Sequence, residues 1–311
     1  MQMLNKNHAF FHQAILILLI LIIAGIQSQV SISINAQIIL FMAVTFSTGI
    51  FHGMLDIVLL KSLQFKHTNF LVIYAALALV ALLFFLYFPS AALIALLVLS
   101  IWHFGEAQQS DDSVKIDSKI QLIFMRFLVG ACALAAPFIL ANQPLHEILV
   151  ILLTDPNWLS ITWMAWGVIA WTWLIAFFMS LIHLAIVKTM SFNNANLIEI
   201  FAIWLGFYLL SPLVAFSLYF GAYHAVRHIR DVLAKTTAIN LYKISLAWVG
   251  IITLSILILI TLLLNNQIEM AGLSVSSSTL LLRSSIVLLV AITLPHTFLI
   301  SVWRKNFHKS L

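Results

Sequence analysis

Charged residues are scarce in this chain. Asp, Glu, Lys and Arg make up only 8% of its 311 residues, whereas 63% are hydrophobic. A water-soluble fold cannot hide that much apolar surface, so soluble classes of protein are excluded and no nucleic-acid partner is expected. The apolar runs are continuous and about twenty residues long, which excludes the short alternating strands of a membrane barrel. The expected fold class is an all-α, polytopic transmembrane helical bundle.

Cysteine is nearly absent as well. Cys132 is the single cysteine and lies inside an apolar run. An internal disulfide and a thiolate metal cluster are therefore both excluded. Any metal site in this chain has to be built from other ligands.

Ten apolar runs predict ten membrane spans, with eight or nine as the alternatives. Their expected bounds are 14–34, 37–60, 69–88, 91–108, 120–141, 159–187, 196–211, 213–233, 244–264 and 279–303. None of the connections is large enough to fold alone, so residues 1–311 are expected to form a single integral-membrane domain. The longest outer connection, 142–158, is interpreted as a surface segment.

The basic residues orient these spans. Thirteen of the fifteen lie at the termini or at alternate connections, all on one side: Lys6, Lys61, Lys66, Lys115, Lys119, Lys188, Arg227, Arg230, Lys235, Lys243, Arg304, Lys305 and Lys309. Because cytoplasmic loops carry the excess of Lys and Arg, both termini are expected in the cytoplasm, and a multi-pass protein of the cell (inner) membrane is predicted.

This topology places five histidines at one depth. They lie in spans that run in the same direction, in the cytoplasmic half of each: His52, His103, His224, His228 and His296. An unpartnered imidazole is costly inside a bilayer, so a metal ion or a hydrogen bond must offset that cost. Any one such histidine is more often bonded to a neighbouring helix. Four separate helices that deliver imidazole to one layer favour a shared metal site instead.

His224 and His228 are the most informative pair. Their i, i+4 spacing projects both rings from one face of a helix, where they can bind one ion. The alternative is that His228, beside Arg227 and Arg230, only caps the basic end of its helix. His183 lies too close to the membrane surface for the layer and is interpreted as structural.

Three carboxylates follow these histidines by three or four residues: Asp56, Glu106 and Asp231. Histidines bound to a metal usually donate their second ring N–H to a carboxylate or a carbonyl, which fixes the tautomer. The spacing therefore predicts that these three support the site, although Asp231 is equally placed to pair with Arg227 or Lys235.

The kind of metal stays open at this point. A site of imidazoles without thiolate suits iron, zinc, copper or nickel. Four imidazoles leave up to two octahedral positions for dioxygen, which favours iron. A fifth would leave one, and Pro295 predicts a bend that aims the ring of His296 away from the ion. We therefore expect His296 to support the site without binding the metal.

Four motifs, in this order, resemble those of the Brp/Blh family of membrane β-carotene 15,15′-dioxygenases. They are Phe51-His52-Gly53-Met54-Leu55-Asp56, Trp102-His103-Phe104-Gly105-Glu106, Tyr223-His224-Ala225-Val226-Arg227-His228 and Leu294-Pro295-His296. The resemblance implies cleavage of all-trans-β-carotene by Fe(II) and O2 into two molecules of retinal, which feed a microbial rhodopsin. It also implies that His52, His103, His224 and His228 bind the iron and that His296 lies near it.

A non-enzymatic alternative is an intramembrane transition-metal transporter or another metal-binding membrane protein, because His, Asp56 and Glu106 could line an ion path. Such a protein would hold its metal weakly and need no oxygen. A retinal-binding rhodopsin is excluded, since it requires a Schiff-base lysine at mid-membrane and every lysine here lies at a cytoplasmic end. No catalytic side chain beyond the metal site is visible.

Overall fold

The computed structural model describes residues 2–62, 67–108, 119–153, 155–187, 194–235, 246–270 and 276–307. Every regular element in those ranges is a helix, and none is a strand. The all-α fold class that the sequence predicts is therefore confirmed.

Twelve α-helices and one π-helix make up the described part of the chain. They are α1 (Gln2–Gln29), α2 (Ile34–Ser62), α3 (His67–Tyr87), α4 (Pro89–Gln108), α5 (Lys119–Leu140), α6 (Asn142–Leu152), α7 (Pro156–Val187), α8 (Asn194–Leu209), α9 (Pro212–Ser217), the π-helix (Leu218–Ala225), α10 (Val226–Lys235), α11 (Leu246–Met270) and α12 (Ser277–Phe307). The segment from α9 through the π-helix to α10 is continuous. Each predicted span corresponds to one long helical segment.

Five helices in the described ranges are long and apolar enough to cross a membrane, judged by length and composition. They contain Phe11–Gln29, Pro89–Glu106, Ile120–Leu140, Pro156–His183 and Ser277–Trp303. Four shorter apolar segments accompany them: Ile34–Gly49, Val72–Tyr87, Asn196–Leu209 and Thr253–Asn266. These helices are those of a membrane protein, and the number of ten crossings stays a prediction.

Proline and its neighbours set two of the helix starts. Pro212 stands in the first turn of α9, after Ser211 in extended backbone with ψ of 149°. Pro156 begins α7, and the carboxylate of Asp155 accepts the backbone N–H of Asn157 at 2.7 Å. Proline is tolerated in a first turn because the N–H that it lacks has no partner within the helix.

Most of the connection 142–158 is the helix α6, whose residues Asn142, Gln143 and Pro144 are exposed, as expected of a surface segment. This helix is amphipathic and buries one face, formed by Leu145, Ile148, Leu149 and Leu152. Ile148, Leu149 and Leu152 join a core that also includes residues of α4, α11 and α12, whereas Leu145 joins a second core with residues of α5 and α7. Apolar residues at helical spacing therefore make this segment a helix that packs one face against the bundle.

The outer surface of α7 is apolar. Exposed side chains recur on it every three to four residues: Ile161, Met164, Val168, Trp171, Ile175 and Phe178. A water-soluble protein rarely leaves so long an apolar stripe uncovered. The stripe is the surface that a helix presents to lipid.

Glycines allow α4 and α5 to touch backbone to backbone. A Cβ at Gly105 would overlap the backbone of Arg126, and one at Gly130 would lie 2.7 Å from the backbone nitrogen of Gly105. Small residues that permit such an approach are a common way for membrane helices to associate. The contact fixes the end of α4 that carries His103.

The orientation can be tested by thiol labelling. Asn142 is exposed at the start of α6, so a cysteine at Asn142 should react with an impermeant thiol reagent added outside intact cells. A cysteine at Lys115, outside the described residues, should react only after lysis, because basic connections stay in the cytoplasm. The wild type is the background control, since its Cys132 is buried. Labelling of Lys115→Cys from outside would overturn the topology.

Candidate metal centre

Five buried imidazoles meet inside the bundle. Two come from α2 and α4, two from the segment formed by the π-helix and α10, and one from α12: His52, His103, His224, His228 and His296. The ring of His52 lies centrally, with its centroid 5.9 Å from that of His103, 5.4 Å from His224, 4.3 Å from His228 and 4.4 Å from His296. The helices thus bring together all the histidines that topology places at one depth.

Two pairs of ring nitrogens have the spacing of neighbouring ligands on a metal ion. The Nε2 atoms of His52 and His296 are 2.8 Å apart, and those of His103 and His224 are 3.2 Å apart. A metal holds imidazole nitrogen at about 2.0–2.1 Å, so two ligands at right angles lie about 3 Å from each other. In two overlapping groups of three histidines that share His52, the nitrogens lie within 4.8 Å of one another.

A buried nitrogen of His228 indicates that the cluster suits a metal ion. The Nε2 atom of His228 is shielded from solvent and has no hydrogen-bond partner among the described residues. A buried polar atom without a partner is destabilising, by about 1–3 kcal/mol, and usually has a functional reason. A cation at the centre of the five rings would supply that partner. The donor set, all imidazole nitrogen, therefore fits a transition metal.

His296 is turned into this cluster, which corrects the orientation predicted from Pro295. Although Pro295 lies inside α12, the helix continues to Phe307. The Nδ1 atom of His296 donates to Asp56 Oδ1 at 2.8 Å. Its Nε2 atom faces His52. A neutral imidazole that donates through Nδ1 keeps a lone pair on Nε2, which is the arrangement of histidines that bind metals.

Asp56 therefore supports a histidine other than the one that the spacing suggested. The expected partner was His52, four residues earlier, whose Nδ1 has no hydrogen-bond partner among the described residues. Asp56 instead links α12 to α3, because its second oxygen accepts the hydroxyl of Tyr74 at 2.9 Å. The direction of Asp56 depends on how α2 is rotated against those two helices, which the spacing within α2 does not specify.

The other two carboxylates also bond to residues that the sequence did not suggest. Glu106 Oε2 accepts the hydroxyl of Ser301 in α12 at 3.0 Å, and Oε1 lies 4.0 Å from Arg126 in α5. Asp231 accepts from its neighbour Arg230 at 2.9 Å. Tyr74 and Ser301 could not have been found from spacing, because they lie 18 and 195 residues from the carboxylates they contact.

The helix that carries His224 is wider than the sequence predicts. Residues Leu218–Ala225 form a π-helix, so the i, i+4 pair straddles its junction with α10. The two rings still converge on His52. Gly221 lets this segment approach α2, because a Cβ there would overlap Val44. π-helical turns are rare and frequently lie at functional sites, and the spacing of the residues does not predict this one.

Aromatic side chains surround His224. The ring of Phe104 meets it edge-on with centroids 4.7 Å apart, and Phe220 stacks on it at 6.0 Å. Phe216 stacks in turn on Phe220 at 5.7 Å. These rings make the surroundings of the histidines apolar, which strengthens electrostatic interactions inside the site.

Comparisons with known proteins identify one family. The family model described as beta-carotene 15,15′-dioxygenase matches residues 43–304. The matched range includes all five histidines and the three carboxylates. No curated protein and no solved structure matches the chain. The match covers most of the chain and confirms the resemblance that its motifs carry, and so the protein belongs to the beta-carotene 15,15′-dioxygenase family.

Proposed function

We propose that this protein is an iron-dependent dioxygenase that cleaves all-trans-β-carotene at its central 15,15′ double bond, with O2, to give two molecules of retinal. The observation that carries the proposal is the cluster of five buried imidazoles within the matched family range. A site of imidazole nitrogen donors in an apolar surrounding is suited to a redox metal.

We infer that His52, His103, His224 and His228 hold Fe(II), and that His296 joins them as a fifth ligand. The inference for His296 replaces the supporting role suggested by the sequence. It rests on the bond from Nδ1 to Asp56 and on the 2.8 Å separation of its Nε2 from that of His52. Bound Fe(II) would supply the one-electron chemistry that dioxygen needs to react with an alkene.

Other residues of the protein orient the histidines and bind the substrate. Asp56 holds the tautomer and direction of His296, and it places a negative charge near the metal. The stacked rings of Phe216, in α9, and Phe220, in the π-helix, lie beside His224, and we infer that apolar side chains of this kind contact the polyene. β-Carotene has no polar group to grip, so we infer that apolar contacts bind it and that the bilayer delivers it. Both oxygen atoms end in the two aldehyde groups.

The location and partners follow from this chemistry. Substrate and product are both apolar, so we propose that the enzyme works within the cell (inner) membrane. We propose that the retinal passes to a microbial rhodopsin. The lipid bilayer is then both the solvent of the enzyme and the route between the two proteins.

The bonding of the carboxylates disfavours the transporter alternative. Asp56 and Glu106 are bonded to neighbouring helices by Tyr74 and Ser301. Side chains that hold helices together are poorly suited to releasing an ion along a path. A transporter would also predict that β-carotene is left unchanged.

Pigment bleaching tests the proposed function directly. Expression in a bacterium that accumulates β-carotene should remove the orange colour and yield retinal, in a ratio of two retinal molecules to one β-carotene consumed. His103→Ala should abolish both effects, because it removes an imidazole of the cluster. His183→Ala is the matched control, since this histidine of α7 is exposed, whereas those of the cluster are buried. Products of unequal length in place of retinal would contradict central cleavage.

Iron content tests the ligand set. The purified wild type should hold about one iron per chain. Each of the variants His52→Ala, His103→Ala, His224→Ala, His228→Ala and His296→Ala should lose most of it, because too few ligands remain to retain the ion. His183→Ala should keep the wild-type content. Full occupancy in two of the first four would refute the metal site, and more than half of the iron in His296→Ala would return that residue to a supporting role.

Asp56 and Tyr74 test the support of His296. Asp56→Asn should weaken iron affinity or turnover by about 10–100-fold, the usual effect of removing a carboxylate that orients a bound histidine. Tyr74→Phe removes only the hydroxyl that orients Asp56, so its effect should be smaller and in the same direction. Both are measured by iron retention during dialysis against a chelator. Wild-type behaviour of Asp56→Asn would show that the bond to His296 has no role in the site.

A further inference from the structure

A buried carboxylate of a neighbouring helix packs against the helical segment of His224 and His228, on a face that the metal site does not use. Glu199 of α8 is 1% exposed. Its Oε2 atom accepts the hydroxyl of Tyr223 at 2.7 Å and lies 3.5 Å from Nη1 of Arg227. Nη1 of Arg227 also donates to the Tyr223 hydroxyl at 3.4 Å. The three side chains form one hydrogen-bonded cluster, which we call the Glu199 network.

The two residues that Glu199 contacts each precede a histidine of the cluster. Tyr223 comes directly before His224, and Arg227 directly before His228. The side chains of consecutive helical residues point about 100° apart. Tyr223 and Arg227 therefore lie on the face of the segment that contacts Glu199, and His224 and His228 project from the adjacent face. The rotation of this segment that allows Tyr223 and Arg227 to bond to Glu199 also sets the direction of both imidazoles.

The network also spans the junction between two kinds of helix. Tyr223 belongs to the π-helix, whereas Arg227 belongs to α10. Conversion of the π-turn into an α-turn would shift the register by one residue and rotate the part of the segment that carries the histidines relative to α9. A carboxylate bonded on both sides of the junction opposes that shift.

Stability alone does not account for these charges. A buried ion pair gains little over well-packed apolar side chains, because removing two charges from water is costly, whereas it can specify one arrangement of helices. Gln13 of α1 adds a further bond to Tyr223, so three elements of the bundle converge on this face.

We propose that Glu199 is a positioning residue: through Tyr223 and Arg227 it fixes the rotation of the helical segment that presents His224 and His228 to the metal. The proposal rests on the histidine cluster being a metal site. It assigns a role to a residue that makes no contact with metal or substrate.

Binding of Co(II) to the purified full-length protein tests this proposal without requiring turnover. Tyr223→Phe removes one hydroxyl, and Glu199→Gln keeps an oxygen for Tyr223 but removes the charge that Arg227 needs. We expect each to weaken Co(II) binding by about 10–100-fold and to change its visible absorption bands, which report the geometry of the ligands. Glu199→Leu should weaken binding more than Glu199→Gln, and where Glu199→Leu does not fold, Tyr223→Phe and Glu199→Gln decide.

Ser90→Ala is the matched control. It removes a buried hydrogen bond of 2.7 Å to Thr162, on α4 and α7, at the opposite end of α4 from His103. Its melting temperature should fall by as much as that of Tyr223→Phe, with no change in Co(II) affinity or spectrum. Wild-type affinity and spectrum in both Tyr223→Phe and Glu199→Gln would overturn the proposal, as would an equal loss of affinity in Ser90→Ala.

The outcome separates this proposal from the proposed function. A wild type that binds Co(II) but yields no retinal would refute the proposed function and leave the role of Glu199 standing on the metal data. A wild type that binds no Co(II) would refute the metal centre and, with it, the positioning role.

Discussion

The burial of imidazole in an apolar interior is the constraint on which the rest of this structure depends. Each ring has polar nitrogens that lose water when the bundle forms, and each loss costs several kcal/mol unless a partner replaces it. Here the imidazole rings contact one another, although His52 and His296, for example, lie 244 residues apart in the sequence. The positions of α2, α4, α10 and α12 therefore cannot vary independently.

Three buried carboxylates brace that arrangement, and each links at least three elements. Asp56 of α2 bonds to α12 and α3, Glu106 of α4 contacts α12 and α5, and Glu199 of α8 contacts the π-helix and α10. In a membrane, an apolar side chain contacts lipid nearly as favourably as it contacts another helix. Apolar contacts therefore do little to specify how each helix is rotated about its axis. Polar bonds with defined directions supply that specification.

The sequence predicts the elements far better than it predicts their contacts. Hydropathy and proline placed the helices, because a span must be long and apolar whatever surrounds it. The charge pattern and the depth argument then selected five histidines that meet in the structure. The hydrogen-bond partners of Asp56 and Glu106 were not predicted. They depend on how whole helices are rotated against one another, and residue spacing within one helix does not specify that rotation. The orientation of His296 was predicted wrongly for a related reason. Pro295 does not interrupt α12, and packing against the neighbouring helices sets the direction of the ring.

The π-helix makes chain length itself part of the site. In an α-helix at the surface of a bundle, an added or lost residue turns the remainder of the helix by about 100°, and a loop can absorb the change. Between Leu218 and Ala225 no loop is available, because α9, the π-helix and α10 run on without a break. A single inserted residue would move Arg227, His228 and the rest of α10 together, whereas a single deletion can be taken up by conversion of the π-turn into an α-turn. Sequences that share this architecture should therefore tolerate the loss of one residue here better than the gain of one.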